Sequence, residues 1–146
     1  MGSGKGKSKG RRRLQASLPT ISSREDLDQA IRDCASKATE SDDETKKIGH
    51  LIVLEFTANW CSVCQKIAPF YCESLPKDPK IASSDRAVFL YTVDVDESPD
   101  LTNFYGASAL PLFVFLVDGK KVDTLVGAQQ TVLKKKTLKH ASSSKK

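Results

Sequence analysis

Two cysteines stand three residues apart in the segment Phe56-Thr57-Ala58-Asn59-Trp60-Cys61-Ser62-Val63-Cys64-Gln65-Lys66-Ile67-Ala68-Pro69-Phe70. The run before them, residues 50–56, is short and almost continuously apolar, which is typical of a strand buried on both faces. Residues 61–75 contain no glycine and carry apolar side chains at helical spacing, which predicts a helix that begins at Cys61. A central strand therefore leads directly into a helix, and Cys61 is expected to be its N-cap.

The position of Cys61 makes it the candidate nucleophile. A thiol at a helix N-terminus faces unpaired backbone N–H groups and the positive end of the helix dipole, and both favour the thiolate. Cys64 lies one turn later on the same face, within reach of a mixed disulfide on Cys61. The spacing therefore predicts a two-step dithiol reaction in which Cys61 attacks and Cys64 releases the reduced partner.

The pattern Phe-x-Ala-x-Trp-Cys-x-x-Cys, followed by Lys66 and Pro69, resembles the active-site segment of the thioredoxin family. A second segment, residues 105–115, resembles the part of that family that carries a cis-proline facing the sulfurs. The resemblance covers residues 18–133 and implies an α/β fold of thioredoxin type, with a central mixed sheet flanked by helices on both faces. It also implies an enzyme, a thiol-disulfide oxidoreductase that reduces protein disulfides without a bound organic cofactor.

The resemblance assigns roles to residues around the dithiol. Trp60 is expected to contact protein substrates, and a core position is the alternative. A cis Leu110–Pro111 bond is expected to present the Leu110 backbone to an extended substrate, and a trans proline at the start of a strand is the alternative. Glu55 stands where the family often has a buried aspartate, and a carboxylate there could accept the Cys64 proton. The alternative for Glu55 is a solvated carboxylate near a strand end.

Four residues, at three places in the chain, depart from the family pattern. Ser62-Val63 stands where thioredoxins usually have Gly-Pro, Thr57 where many have Trp, and Thr92 where many have Lys. As the second residue of the predicted helix, Val63 is expected to donate its N–H to the Cys61 sulfur, which proline could not do. Because that bond favours the thiolate-bearing reduced form, we expect a more oxidising disulfide than in a relative with proline.

Zinc binding is the alternative chemistry for the two central cysteines. The remaining cysteine and histidine residues form no second pair at zinc-binding spacing, so we predict no metal site. Cys34 lies on the apolar face of a predicted first helix, and Cys72 follows Cys64 by about two helical turns. Both are predicted to be packing thiols, with a redox role for Cys34 and regulatory oxidation of Cys72 as the alternatives.

Other local signals predict the order β, α, β, α, β, α, β, β, α. A capping box at residues 22–25 opens the first helix, and residues 39–47 form a polar loop. Prolines at 76 and 79 interrupt the pattern before a strand at 87–95. A short helix from Ser98 to Tyr105, a hairpin over 112–126 and a last helix complete the chain.

The charge is divided between the ends and the middle of the chain. Residues 1–19 hold six basic and no acidic residues, residues 134–146 again hold six and none, and residues 20–133 hold 11 basic and 18 acidic residues. We predict a disordered basic arm at 1–19, one domain at 20–140 and a disordered basic tail at 141–146. Targeting, attraction to nucleic acid or an anionic membrane, and simple solubilisation are the alternatives for the arm.

The cysteine content and the absence of an apolar leader indicate a reducing compartment. We expect a cytoplasmic monomer without a membrane span, and the basic arm leaves the nucleus or an organelle open as destinations. Disulfide-containing proteins are the expected substrates, and a thioredoxin reductase or glutathione is the expected electron donor. The rival function is a non-catalytic adaptor whose basic tails bind nucleic acid or an acidic partner.

Overall fold

A four-stranded mixed sheet forms the centre of the molecule in the computed structural model, which describes residues 18–39 and 47–142. Most of the predicted arm and the predicted polar loop, and the end of the predicted tail, lie outside the described residues. The described elements, in chain order, are α1 Arg24–Ala38, β1 His50–Thr57, α2 Ser62–Pro69, α3 Pro79–Ala82, β2 Ala87–Asp94, α4 Pro99–Tyr105, β3 Leu112–Val117, β4 Lys120–Val126 and α5 Gln130–Ala141.

The sheet has the strand order β2-β1-β3-β4. Strand β1 pairs in parallel with β2 and antiparallel with β3, and β3 pairs antiparallel with β4. Alternate residues of β1 enter two separate cores, Ile52 with α1 and α4 on one face, and Val53 with α2, α3 and α5 on the other. The predicted α/β architecture, with a central strand buried on both faces, is confirmed.

The first predicted strand is reduced to a single parallel bridge between Thr20 and Thr92. The predicted capping box is wrong by one residue, because Ser23 rather than Ser22 is the N-cap of α1. The Ser23 hydroxyl accepts from the Asp26 N–H at 3.0 Å, and the Asp26 carboxylate accepts from the Ser22 N–H at 3.0 Å. Asp26, the third residue of α1, thus has the role that was predicted for Glu25.

The helix predicted over 61–75 changes its winding after Pro69. Proline has no N–H to continue the α-helical ladder, and a π-helical turn, Phe70–Ser74, follows it. The Leu75 N–H closes that turn on the Phe70 carbonyl at 2.8 Å. The prolines at 76 and 79 were predicted to interrupt helical structure, but a short helix, α3, begins at Pro79. Its N-cap is Asp78, whose side chain accepts from the Lys80 N–H. The later strands and helices lie where they were predicted.

No helix in residues 18–39 or 47–142 combines the length and the apolar character needed to cross a membrane.

Candidate active site

Cys61 and Cys64 are joined in a disulfide at the C-terminal end of β1 and the N-terminus of α2. Their Cα atoms are 5.3 Å apart, and Cys61 is 8% exposed whereas Cys64 is 1% exposed. Cys61 has the extended backbone of an N-cap, and the preceding turn is closed by its N–H on the Ala58 carbonyl at 3.1 Å. Cys61 is therefore the N-cap that was predicted, and the less buried of the two sulfurs.

The backbone donor to the Cys61 sulfur is the N–H of Cys64, at 3.2 Å. The prediction that Val63 supplies this donor is wrong. An N-cap side chain can reach either the second or the third N–H of its helix, and the link to Cys64 draws the sulfur toward the third. Proline at residue 63 would therefore remove no hydrogen bond from this sulfur.

Trp60 lies on the surface beside the disulfide and is 68% exposed. Its indole Nε1–H donates to the Asp96 carboxylate at 2.9 Å, which fixes the ring against the loop after β2. A core position for Trp60, the alternative considered from the sequence, is excluded. Sequence reasoning missed Asp96, whose signal was a run of carboxylates directly after a predicted buried strand.

The Leu110–Pro111 bond is cis, as predicted, and it leads into β3. Leu110 packs against the small apolar cluster that contains Ala58, Cys61 and Cys64. The Pro111 carbonyl accepts from the Gly127 N–H at 2.9 Å, which ties this segment to the end of β4. Trp60 and Leu110 thus both lie close to the disulfide.

Glu55 is buried in the middle of the sheet and is 2% exposed. Its neighbours in register are Thr92 on β2 and Phe113 on β3, and its Oε2 has no hydrogen-bond partner among the described residues. Burial raises the pKa of Glu55 to about 8. The solvated carboxylate considered as an alternative is therefore wrong, and the group is largely protonated at neutral pH.

The two other cysteines occupy less reactive surroundings. Burial raises the pKa of the Cys34 thiol, which hydrogen-bonds the Tyr91 hydroxyl at 3.3 Å. Burial, with the charges of Glu55 and Glu73, raises the pKa of Cys72 to about 11. Because the thiolate is the reactive form, neither thiol competes with Cys61, and both fit the packing role that was predicted.

A small cleft of about 130 Å³ opens beside Cys64. It is lined by Cys64 and by polar groups from three elements, among them Thr57, Gln65 and Asp94. The Gln65 amide also donates to the Asn59 carbonyl at 2.6 Å and so braces the turn before Cys61. Polar groups thus line the cleft on the Cys64 side of the disulfide.

Three comparisons identify what this chain is similar to. The family model described as Thioredoxin matches residues 34–139. Thioredoxin H-type 1 of Nicotiana tabacum is 41% identical over 99 residues, which is 68% of this chain and 71% of that protein. Thioredoxin H4 of Arabidopsis thaliana is 44% identical over 98 residues, 67% of this chain and 77% of that protein. The crystal structure of Fasciola hepatica thioredoxin matches with a TM-score of 0.67 and 31% identity, and covers 84% of this chain and 99% of that one.

Proposed function

This chain belongs to the thioredoxin family and is a thiol-disulfide oxidoreductase, and on that premise we propose that it reduces protein disulfides with Cys61 attacking and Cys64 resolving. The observation that carries this assignment is the position of Cys61 at the N-cap of α2, where its sulfur already accepts the Cys64 N–H. That donor and the helix terminus both favour a thiolate on Cys61 over one on Cys64.

The reaction has two steps that together move two electrons to the substrate. The Cys61 thiolate attacks one sulfur of the substrate disulfide, a mixed disulfide forms, and the other substrate sulfur leaves as a thiolate that takes a proton. Cys64 then loses its proton and attacks the Cys61 sulfur, which breaks the mixed disulfide and releases the second substrate thiol. The enzyme is left with the Cys61–Cys64 disulfide, and an external thiol reductant must supply two electrons to reduce it.

Glu55 is proposed as the acceptor of the Cys64 proton in the second step. Its raised pKa, about 8, is closer to the pKa of a thiol than the pKa of a solvated carboxylate would be. Glu55 follows Val53 by two residues along β1, so its side chain faces the same side of the sheet, the side on which α2 packs. The extra methylene relative to aspartate supplies reach toward that helix.

Substrate contact is proposed for Trp60 and for the Leu110–Pro111 segment. Trp60 offers a large exposed ring held by Asp96, and Leu110, in the segment that leads into β3, packs against the two cysteines. An extended substrate chain could pair with the Leu110 backbone while its side chains rest on Trp60. The proposed donor is a thioredoxin reductase or glutathione, acting on a monomer in a reducing compartment such as the cytoplasm.

Thiol-dependent reduction of insulin disulfides tests the proposal. Wild type should reduce insulin with dithiothreitol as donor, and Cys61→Ser should lose that activity. Cys72→Ser is the matched control and should retain it, because its thiol has a raised pKa and lies outside the proposed reaction. Equal rates for wild type and Cys61→Ser would favour the adaptor, including its nucleic-acid-binding form, over the enzyme.

A further inference from the structure

One end of the sheet, which we call the disulfide end, collects the loops around Cys61 and Cys64. The C-terminal ends of β1, β2 and β4 and the N-terminal end of β3 meet there, as the strand pairing requires. The loops at this end, residues 58–61, 95–98, 106–111 and 127–129, contain no lysine, arginine or histidine. The loop after β2 and its two flanks carry four carboxylates, those of Asp94, Asp96, Glu97 and Asp100. The disulfide end is therefore negatively charged.

These four carboxylates are not neutralised by neighbouring side chains. None of them has a Lys, Arg or His partner within ion-pair distance in residues 18–39 and 47–142. Elsewhere in the molecule, Asp78 pairs with Lys134 at 3.0 Å and Asp123 pairs with Lys136 at 2.9 Å. The basic residue closest along the chain to the disulfide is Lys66, in the second turn of α2, and one positive charge does not balance four negative ones.

Trp60 places an aromatic face among these charges, and it is 68% exposed. Its Nε1–H donates to Oδ2 of Asp96 at 2.9 Å, which leaves Oδ1 of that carboxylate without a hydrogen-bond partner in the described part of the chain. An exposed indole face beside an available carboxylate attracts a guanidinium or ammonium group both through the ring and through the charge. The chain already contains one such contact, because the Arg24 guanidinium lies 3.9 Å from the centroid of the Phe104 ring.

A reacting disulfide brings its neighbouring residues to this face. Its sulfur must meet the Cys61 sulfur, and the Cα atoms of Trp60 and Cys61, as consecutive residues, are about 3.8 Å apart. In an extended substrate chain, a residue one or two places from the substrate cysteine is displaced from it by about 3–7 Å. A long side chain at such a place is therefore brought to the Trp60 ring and to Asp96.

We propose that the disulfide end selects protein disulfides whose cysteine is flanked by arginine or lysine, with the cationic group held between the Trp60 ring and the four carboxylates. This inference rests on the proposed function and names the substrate class of the same site. The cation takes no part in the transfer of electrons, which follows the two steps given above. Its attraction weakens with salt, because the Debye length falls from about 10 Å at 0.1 M to about 3 Å at 1 M.

Three disulfide-linked peptide dimers test the preference. The residue after the cysteine is arginine in the first, glutamine in the second and glutamate in the third, and the sequences are otherwise identical. The measured quantity is the second-order rate constant with the pre-reduced protein. Dividing it by the rate constant of dithiothreitol with the same peptide removes the effect of the flanking charge on the disulfide itself. At about 20 mM salt, the corrected rate constant should be about fivefold higher for arginine than for glutamine and lowest for glutamate.

The variant Glu97→Gln/Asp100→Asn tests whether the carboxylates cause this preference. Both side chains are exposed, and neither bonds Trp60. The arginine-to-glutamine ratio should fall to about twofold in this variant and approach one in wild type at about 1 M salt. Glu25→Gln/Asp28→Asn removes the same charge from α1, outside the loops of the disulfide end, and should keep the fivefold ratio. Equal rate constants for the arginine and glutamine peptides in wild type at low salt would overturn the proposal, as would a ratio that Glu97→Gln/Asp100→Asn leaves unchanged.

Binding without turnover separates this inference from the proposed function. Peptides in which serine replaces the cysteine cannot be reduced, and they can be titrated against the oxidised protein. Trp60 is the chain's sole tryptophan, so its indole N–H resonance reports on this face alone. At low salt the arginine peptide should shift that resonance more than the glutamine and glutamate peptides do. An indole shift that depends on protein concentration in the absence of peptide would assign the face to a second copy of the chain and overturn the proposal.

The combined outcomes distinguish the two claims. A shift specific to the arginine peptide, in a chain that does not reduce insulin, would support recognition of a cation while refuting the enzyme. Insulin reduction with equal corrected rate constants for the arginine and glutamine peptides would support the enzyme while refuting recognition of a cation.

Discussion

The indole of Trp60 donates its Nε1–H to the carboxylate of Asp96 at 2.9 Å. This bond joins the segment that carries Cys61 to the loop after β2, two parts of the chain 36 residues apart. It holds a side chain that is 68% exposed in one orientation beside Cys61. Pre-ordering an exposed aromatic residue in this way reduces the conformational entropy lost when a substrate binds to it.

Removing the Asp96 carboxylate should weaken substrate binding. We expect Asp96→Ala to raise the KM for insulin by about three- to tenfold, because Trp60 loses a hydrogen bond to a charged acceptor. Asp96→Asn keeps an acceptor oxygen, so its KM for insulin should lie between those of wild type and Asp96→Ala. Reduction of a small aromatic disulfide, which does not need the Trp60 contact, is the control. An unchanged insulin KM in Asp96→Ala would show that this bond does not position Trp60 for substrate.

Glu55 should make the protein less stable as pH rises. Its pKa is about 8 in the folded state, against about 4.3 in an unfolded chain, so folding takes up a proton between these values. Stability is fully present below the unfolded pKa and is lost as pH rises through the folded pKa. Relative to Glu55→Gln, the unfolding free energy of wild type should fall by about 3–4 kcal/mol between pH 5 and 8.

Urea unfolding at both pH values measures this difference. Glu97→Gln removes an exposed carboxylate and serves as the control, since its pH dependence should match that of wild type. Parallel pH dependence in wild type and Glu55→Gln would contradict the raised pKa.

Asp123 should have the opposite effect to Glu55, because it should make the protein less stable as pH falls. Burial alone would raise its pKa, but hydrogen bonds from His140, Lys136 and the Thr124 N–H outweigh burial and lower it to about 2. Its contribution is therefore present above the unfolded pKa of about 3.9 and is lost as pH falls toward 2. We expect Asp123→Asn to cost about 1–2 kcal/mol of unfolding free energy at pH 6 and almost nothing at pH 2.

Thermal or urea unfolding of wild type and Asp123→Asn across that range checks the sign. Asp28→Asn, an exposed carboxylate on α1, is the control and should change little at either pH. An equal difference at pH 2 and pH 6 would mean that packing rather than charge is responsible.

Much of the site followed from local sequence. The apolar run before Cys61, the glycine-free segment after it and the resemblance around Pro111 were sufficient to predict the N-cap, the central strand and the cis bond. What could not be predicted depends on contacts distant in sequence. Nothing near Trp60 indicates that Asp96 holds it, and nothing near Thr20 indicates that its pairing with Thr92 ends after one bridge.

The predicted hydrogen-bond donor to the Cys61 sulfur was wrong by one residue. Capping rules allow the second or third N–H of a helix, and the closure of the Cys61–Cys64 pair selects the third, from Cys64, rather than the predicted N–H of Val63. Val63→Pro should therefore leave the reduction potential within about 10 mV of wild type, since proline removes no bond to the sulfur. Equilibration with a glutathione buffer measures this, with Ser62→Gly as a control for flexibility. A potential lowered by about 30 mV or more would restore the original prediction.

Trapping of the mixed disulfide tests the central claim, that Cys61 attacks and Cys64 resolves. Full-length Cys64→Ser, reduced and mixed with oxidised insulin, should accumulate a covalent adduct, and peptide mass mapping should place it on Cys61. Cys61→Ser should form none, because Cys64 is only 1% exposed. An adduct on Cys34, on Cys72 or on the Cys64 of the Cys61→Ser variant, or no adduct on Cys61, would contradict the account.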